Sequence, residues 1–156
     1  MSDPKLDAEN SKNTVTKIIV TSPEIYKPVG PYSQAILADK TLYVSGVLGM
    51  DTDAKLVSGI EAQTRQALDN LKHVLAAGDA SLESVIKTTI LLAKLEDFDL
   101  VNQIYAEYFK RDHPARATYQ VARLPRDAAI EIEAIALSGN LIIAKSGPCP
   151  CPQEAP

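Results

Sequence analysis

Two stretches of this chain carry apolar residues at helical spacing, and they stand among short runs rich in β-branched residues. In the first, Ile60, Ala67, Leu68, Leu71, Val74 and Leu75 share one face, which predicts an amphipathic helix over residues 59–77. Gly78 follows where a C-terminal cap belongs. In the second, Phe98, Val101, Ile104, Tyr105 and Tyr108 form the stripe, with Asp97 as its expected N-cap. Strands are predicted at 17–20, 34–38, 41–45, 85–92, 118–123 and 130–137. The dipeptide Asp39-Lys40 has the length of a tight hairpin turn. Residues 141–144 either add a short strand or extend the one before. The order β-β-β-α-β-α-β-β makes the chain α+β, with two helices on one face of a mixed sheet. Two such helices cover one sheet face. The other face must be buried as well, and self-association is the natural way to do it.

The 156 residues suit one domain. Residues 1–15 are polar and without period, so they are expected to be disordered. Residues 146–156 hold four of the ten prolines and read as an extended, flexible tail. This leaves 16–145 as the folded unit. The whole chain has a net charge of −4 and no Trp, and aromatics make up 5% of it. That composition argues against a nucleic-acid binder, which needs basic and stacking surface. No apolar run is long enough for a membrane span. The N-terminus carries Asp3, Asp7 and Glu9 and lacks the apolar core of a signal peptide, so the expected compartment is the cytoplasm, with a mitochondrial pool left open. Cys149 and Cys151 both lie in the tail, where no partner ligands make a metal site and no disulfide framework can form.

A few residues could carry chemistry. Arg116 follows Pro114-Ala115 at the start of a strand, and its guanidinium can clamp a carboxylate in a two-bond fork. On position alone, a surface ion pair is the commoner fate of such a residue. Glu131 and Glu133 lie two apart on a strand and so share a face, opposite Ile130, Ile132, Ala134 and Ala136. A carboxylate among such neighbours could serve as a general base, or the pair could simply mark a solvated face. Tyr32 in Gly30-Pro31-Tyr32-Ser33-Gln34 could cap a ligand or staple a loop. Ser45-Gly46 allows close backbone approach, and Asn102 lies near a helix start. His73 and His113 cannot build a metal cluster, and no Ser-His-Asp or Cys-His set can be assembled.

From about residue 18 to 137 the chain resembles the RidA/YjgF family. Three stretches carry the likeness. The first is Gly30-Pro31-Tyr32-Ser33-Gln34-Ala35. The second is Leu42-Tyr43-Val44-Ser45-Gly46 with Gly49-Met50-Asp51. The third runs from Pro114-Ala115-Arg116-Ala117-Thr118 through Leu124-Pro125-Arg126-Asp127 to Ile130-Glu131-Ile132-Glu133-Ala134. The resemblance implies a chorismate-mutase-like fold and a barrel-like homotrimer with clefts between subunits. It implies hydrolysis of small 2-imino acids, 2-iminobutanoate and 2-iminopropanoate, to 2-oxo acids and ammonia, without cofactor or metal. By the same likeness Arg116 grips the substrate carboxylate and Glu131 positions or activates water. Thr118 lies along the substrate through its backbone, and Tyr32, Ser45, Gly46 and Asn102 line the pocket. Val47 stands where many members have Gln, a departure that bears on substrate preference. Two rival readings are a non-catalytic binder or chaperone-like trimer and an endoribonuclease that inhibits translation. The acidic balance weighs against the second.

Overall fold

The computed structural model describes residues 14–145. The 146–156 tail with Cys149 and Cys151, and most of the 1–15 head, lie outside them. Six strands form one sheet in the order β1-β2-β3-β6-β4-β5. They are β1 (Lys17–Val20), β2 (Ala35–Ala38), β3 (Thr41–Leu48), β4 (Val85–Leu92), β5 (Ala115–Gln120) and β6 (Ile130–Leu137). Helix α1 (Ile60–Ala77) follows β3, and α2 (Phe98–Tyr108) crosses from β4 to β5. That crossover makes β4 and β5 parallel; every other pairing is antiparallel. The expected α+β order and helix stripes are present.

Alternation along β6 divides the molecule. Ile130, Ile132, Ala134 and Ala136 are buried under the helices with Leu42, Val44, Ile90 and Leu92. The stripe Ala67, Leu68, Leu71, Val74 and Leu75 on α1 closes this core. The opposite face presents Glu131, Glu133, Ile135 and Leu137, flanked by Tyr43 and by Lys87, Thr89 and Leu91. Tyr43 and Tyr119 are each 50% exposed there. A smaller cluster of Tyr26, Leu48, Met50, Leu124 and Ala128 covers one end of that face.

Several expectations needed correction. Strand β3 runs on to Leu48, past a bulge between Val44 and Val47 that lets Ser45-Gly46 loop out of register. Strand β5 spans Ala115–Gln120 rather than 118–123, because pairing with β4, from Lys87↔Ala115 to Leu92↔Gln120, outweighs the low strand preference of Ala115-Arg116-Ala117. Residues 141–144 form no strand. Asp97 stands at the N-cap of α2 as expected, but its backbone is helical and its side chain makes no cap bond; it closes a 3₁₀ turn, Leu95–Asp97. Gly78 is the C-cap of α1 as expected, but the left-handed residue is the next one, Asp79 (φ 53°, against −97° at Gly78), and Ala80 N–H bonds Leu75 O at 2.9 Å. Gly78 is needed for another reason: a Cβ there would lie 2.5 Å from Leu42 Cδ2.

Candidate active site

The predicted residues fall into two groups. The first is built where β3 bulges beside the loop that leads into β2. Gln34, buried, ties that loop down: its Oε1 accepts the Ser22 N–H at 2.6 Å and its Nε2 donates to Tyr26 O at 3.0 Å. Its own carbonyl accepts the Ser45 N–H at 3.0 Å, and the Ser45 hydroxyl donates to Ser33 O at 2.7 Å. These bonds hold Tyr32 beside the bulge, 42% exposed, with its hydroxyl accepting the Val29 N–H at 3.4 Å. Tyr32, Ser45 and Gly46 line one narrow cleft. Val47 turns into the main core, 3% exposed, so its side chain is a packing group.

Glu131 completes this group. It sits half-buried between Leu48 on β3 and Leu91 on β4. Its carboxylate has no hydrogen-bond or ion-pair partner among the described residues. Burial raises its carboxyl above the usual range, and the like charge of Glu133 adds to the effect. Gly46 makes room for it, since any Cβ on residue 46 would fall on the Glu131 carboxylate.

The second group lies at the sheet edge under α2. Arg116 pairs in register with Thr88, which is fully buried on the helix side. Its guanidinium lies 4.9 Å from the Tyr105 ring centroid and 5.9 Å from that of Phe98. The platform is itself fixed. The Tyr105 hydroxyl bonds Thr88 Oγ1 at 2.9 Å and its ring stacks on Phe109. Burial raises the Tyr105 phenol, against smaller lowering effects of Thr88 and Arg116. Arg65, Arg111 and Arg123 each hold a carboxylate, at 2.6, 2.9 and 2.6 Å. Arg116 holds none. The other arginine without a carboxylate, Arg126, sits on an exposed turn at φ 61°. A cavity of about 360 Å³ opens over Arg116, lined also by Asn102, Tyr105, Ala106, His113 and Pro114.

Thr118 follows two residues along the same face. Its hydroxyl is hidden from solvent and has no hydrogen-bond partner among the described residues. Its backbone is better placed. Val121 N–H donates to Leu92 O at 2.9 Å, which sets the phase of the ladder. By alternation the amide and carbonyl of Arg116 and Thr118 point away from β4, along the open edge. Arg116, Asn102 and Thr118 are thus brought together. So are Glu131, Gly46, Ser45 and Tyr32.

The two groups are not brought to each other. Arg116 lies on the helix-covered side of edge strand β5. Glu131 lies on the opposite side of β6, with β4 between them. The sequence reading missed Gln34 as the loop's brace, Thr88 and Tyr105 as the platform for Arg116, and His113 as a cavity residue. No local pattern marks any of them, because each acquires its role from a residue distant in the chain.

The profile of the family described as "Endoribonuclease L-PSP" matches residues 22–138. The chain is 45% identical over 134 residues to human 2-iminobutanoate/2-iminopropanoate deaminase, covering 85% of this chain and 98% of the human one. It is 47% identical over 131 residues to the Drosophila melanogaster RutC family protein UK114, covering 83% and 95%. Among solved structures, yeast YEO7 matches with a TM-score of 0.78 at 35% identity, over 80% of this chain and all of that one.

Proposed function

This chain belongs to the RidA/YjgF family, and from that premise we propose that it hydrolyses 2-iminobutanoate and 2-iminopropanoate to 2-oxo acids and ammonia, in clefts between the copies of a homotrimer. The observation that carries the reading is Arg116: an arginine stacked on a fixed ring, over a cavity, with no anion of its own. Its fork matches a carboxylate in two bonds. The outward amide and carbonyl of Thr118 run beside it and hold the substrate in plane.

The chemistry asks little more. A protonated imine is already electrophilic at C2, so neither a covalent nucleophile nor a metal is needed to begin. Glu131, its carboxyl raised by burial, takes a proton from water as the oxygen bonds to C2. The proton then passes to the nitrogen, the C–N bond breaks, and ammonia leaves as the carbonyl forms and the hydroxyl gives its proton to Glu131. Orientation supplies much of the acceleration. Because Arg116 and Glu131 lie on opposite sides of one sheet, one chain cannot present both to one substrate. A second copy would bring its Glu131, with Tyr32, Ser45 and Gly46, to the Arg116 edge of the first. The exposed face carrying Tyr43, Tyr119 and Leu137 supports such packing.

The test is imine lifetime. An amino-acid oxidase generates 2-iminobutanoate in the presence of semicarbazide, and catalytic amounts of this protein are added. The wild type is expected to cut semicarbazone formation, and Arg116→Ala to fall back to the uncatalysed level. No effect of the wild type would leave Arg116 as a binding group without turnover.

A further inference from the structure

We propose that the Arg116 cavity takes 2-imino and 2-oxo acids that carry a second anionic end, and that His113 reads that end; the inference rests on the imine-deaminase reading of the same cavity. Three polar side chains line the cavity: Arg116, Asn102 and His113. None has a hydrogen-bond or ion-pair partner among the described residues. The rest of the wall is Tyr105, Ala106 and Pro114, which offer apolar surface and no free charge. Uncommitted polar groups converging on an apolar-walled cavity are the mark of a ligand site. Arg116 and Asn102 suffice for the carboxylate end and its neighbouring atoms. His113 then has no work in the hydrolysis of a short aliphatic imine.

Charge points the same way. The carboxylates nearest His113 are already committed. Asp112, its chain neighbour, lies 3.6 Å from Lys145 Nζ, and Glu83 accepts from Arg111 at 2.9 Å. Glu107, on α2 beside Ala106, is held by Arg65. Within one chain the cavity therefore keeps the positive charge of Arg116 with no carboxylate beside His113 left to pair with it. The left-handed Asp112 (φ 47°) turns the chain from α2 toward β5 and sets His113 on the rim. A ligand whose first carboxylate meets Arg116 presents its far end to an imidazole able to donate a hydrogen bond.

Two ratios test this on the full-length protein. The first is the affinity for 2-oxoglutarate relative to 2-oxobutanoate, by calorimetry. The second is kcat/KM for 2-iminoglutarate, made with glutamate oxidase, relative to 2-iminobutanoate. In the wild type both should favour the dianion by roughly three- to ten-fold, the worth of one exposed charge-assisted contact. His113→Phe should bring both ratios to about one, and His113→Lys should keep them above it. Equal affinities in the wild type, or a preference that survives His113→Phe, would overturn the inference. The two readings also fail separately. Turnover of 2-iminobutanoate without dianion preference removes this one alone. Dianion preference without turnover of any imine removes the deaminase reading and leaves the subsite.

Discussion

Arg116 and Glu131 lie on opposite sides of one sheet, so two inactive variants should restore each other when mixed. Take Arg116→Ala and Glu131→Gln, each expected to lose most imine hydrolysis. Refold or co-express them in equal amounts so that the copies assort at random. In a closed ring of three, each cleft joins the Arg116 edge of one copy to the Glu131 face of the next. A ring with both variants always contains one cleft with Arg116 from a Glu131→Gln copy and Glu131 from an Arg116→Ala copy. Random assortment makes about three quarters of rings mixed, each with one intact cleft of three, so activity should return to roughly a quarter of wild type. The assay is the semicarbazide competition, run on the mixture and on each variant alone. The control mixes Arg116→Ala with the double variant, in which no cleft is whole. A mixture no more active than its parts would show that one chain supplies both residues. That would refute the opposite-face argument, and with it the need for a second copy.

Three further outcomes follow from the same geometry. Gly46→Ala places a Cβ on the Glu131 carboxylate and forces it aside; the rotamer cost, about 1 kcal/mol, is offset by a less flexible unfolded chain, so thermal melting should shift little while kcat falls on the order of a hundredfold. Glu131→Gln should be more stable than wild type at pH 7 by urea unfolding at fixed protein concentration. The folded carboxyl is raised by burial and by Glu133, so ionised Glu131 costs stability at neutral pH, and that cost disappears as pH falls through the raised value; the gap should therefore close in acid, and a gap that widens there would contradict the assigned direction. Thr118→Val removes a hidden hydroxyl with no partner and should raise stability by about 1 kcal/mol in the same unfolding experiment; a loss would mean that the hydroxyl is bonded in the assembled protein.

Much of the fold was legible because its signals are local. The alternation Ile130-Glu131-Ile132-Glu133 announces which residues face the helices, and the structure buries those residues. The stripe Leu68, Leu71, Val74 and Leu75 likewise needs no partner to be recognised. The end of α1 was legible in place and not in detail: Gly78 is its C-cap, but Asp79 takes the left-handed turn, while the missing Cβ of Gly78 makes room for Leu42. The candidate site could be written from the sequence as a list of residues, and not as an arrangement. Which side of the sheet receives Arg116 depends on the register of β5 against β4, Thr88↔Arg116, and on nothing near Arg116 itself. A slip of one residue would turn Arg116 to the face of Glu131. Parallel pairing through a crossover is fixed only when the whole sheet assembles, so no reading of Pro114-Ala115-Arg116 could supply it.

The same arrangement explains why this chain has an exposed sheet face at all. A monomeric enzyme would gain by covering Tyr43, Tyr119 and Leu137 with a further helix, and by pairing Glu131 with a cation. On the proposed reading, either change would block what a second copy has to reach. Glu131 needs to stay unpartnered and half-buried to keep its raised carboxyl, and Arg116 needs an open strand edge to keep its free fork and the outward amide of Thr118. Each half of the site thus depends on its chain being left incomplete. Covering the apolar face and completing the catalytic pair become one event on the proposed reading, so stability and activity should be lost together as the protein is diluted.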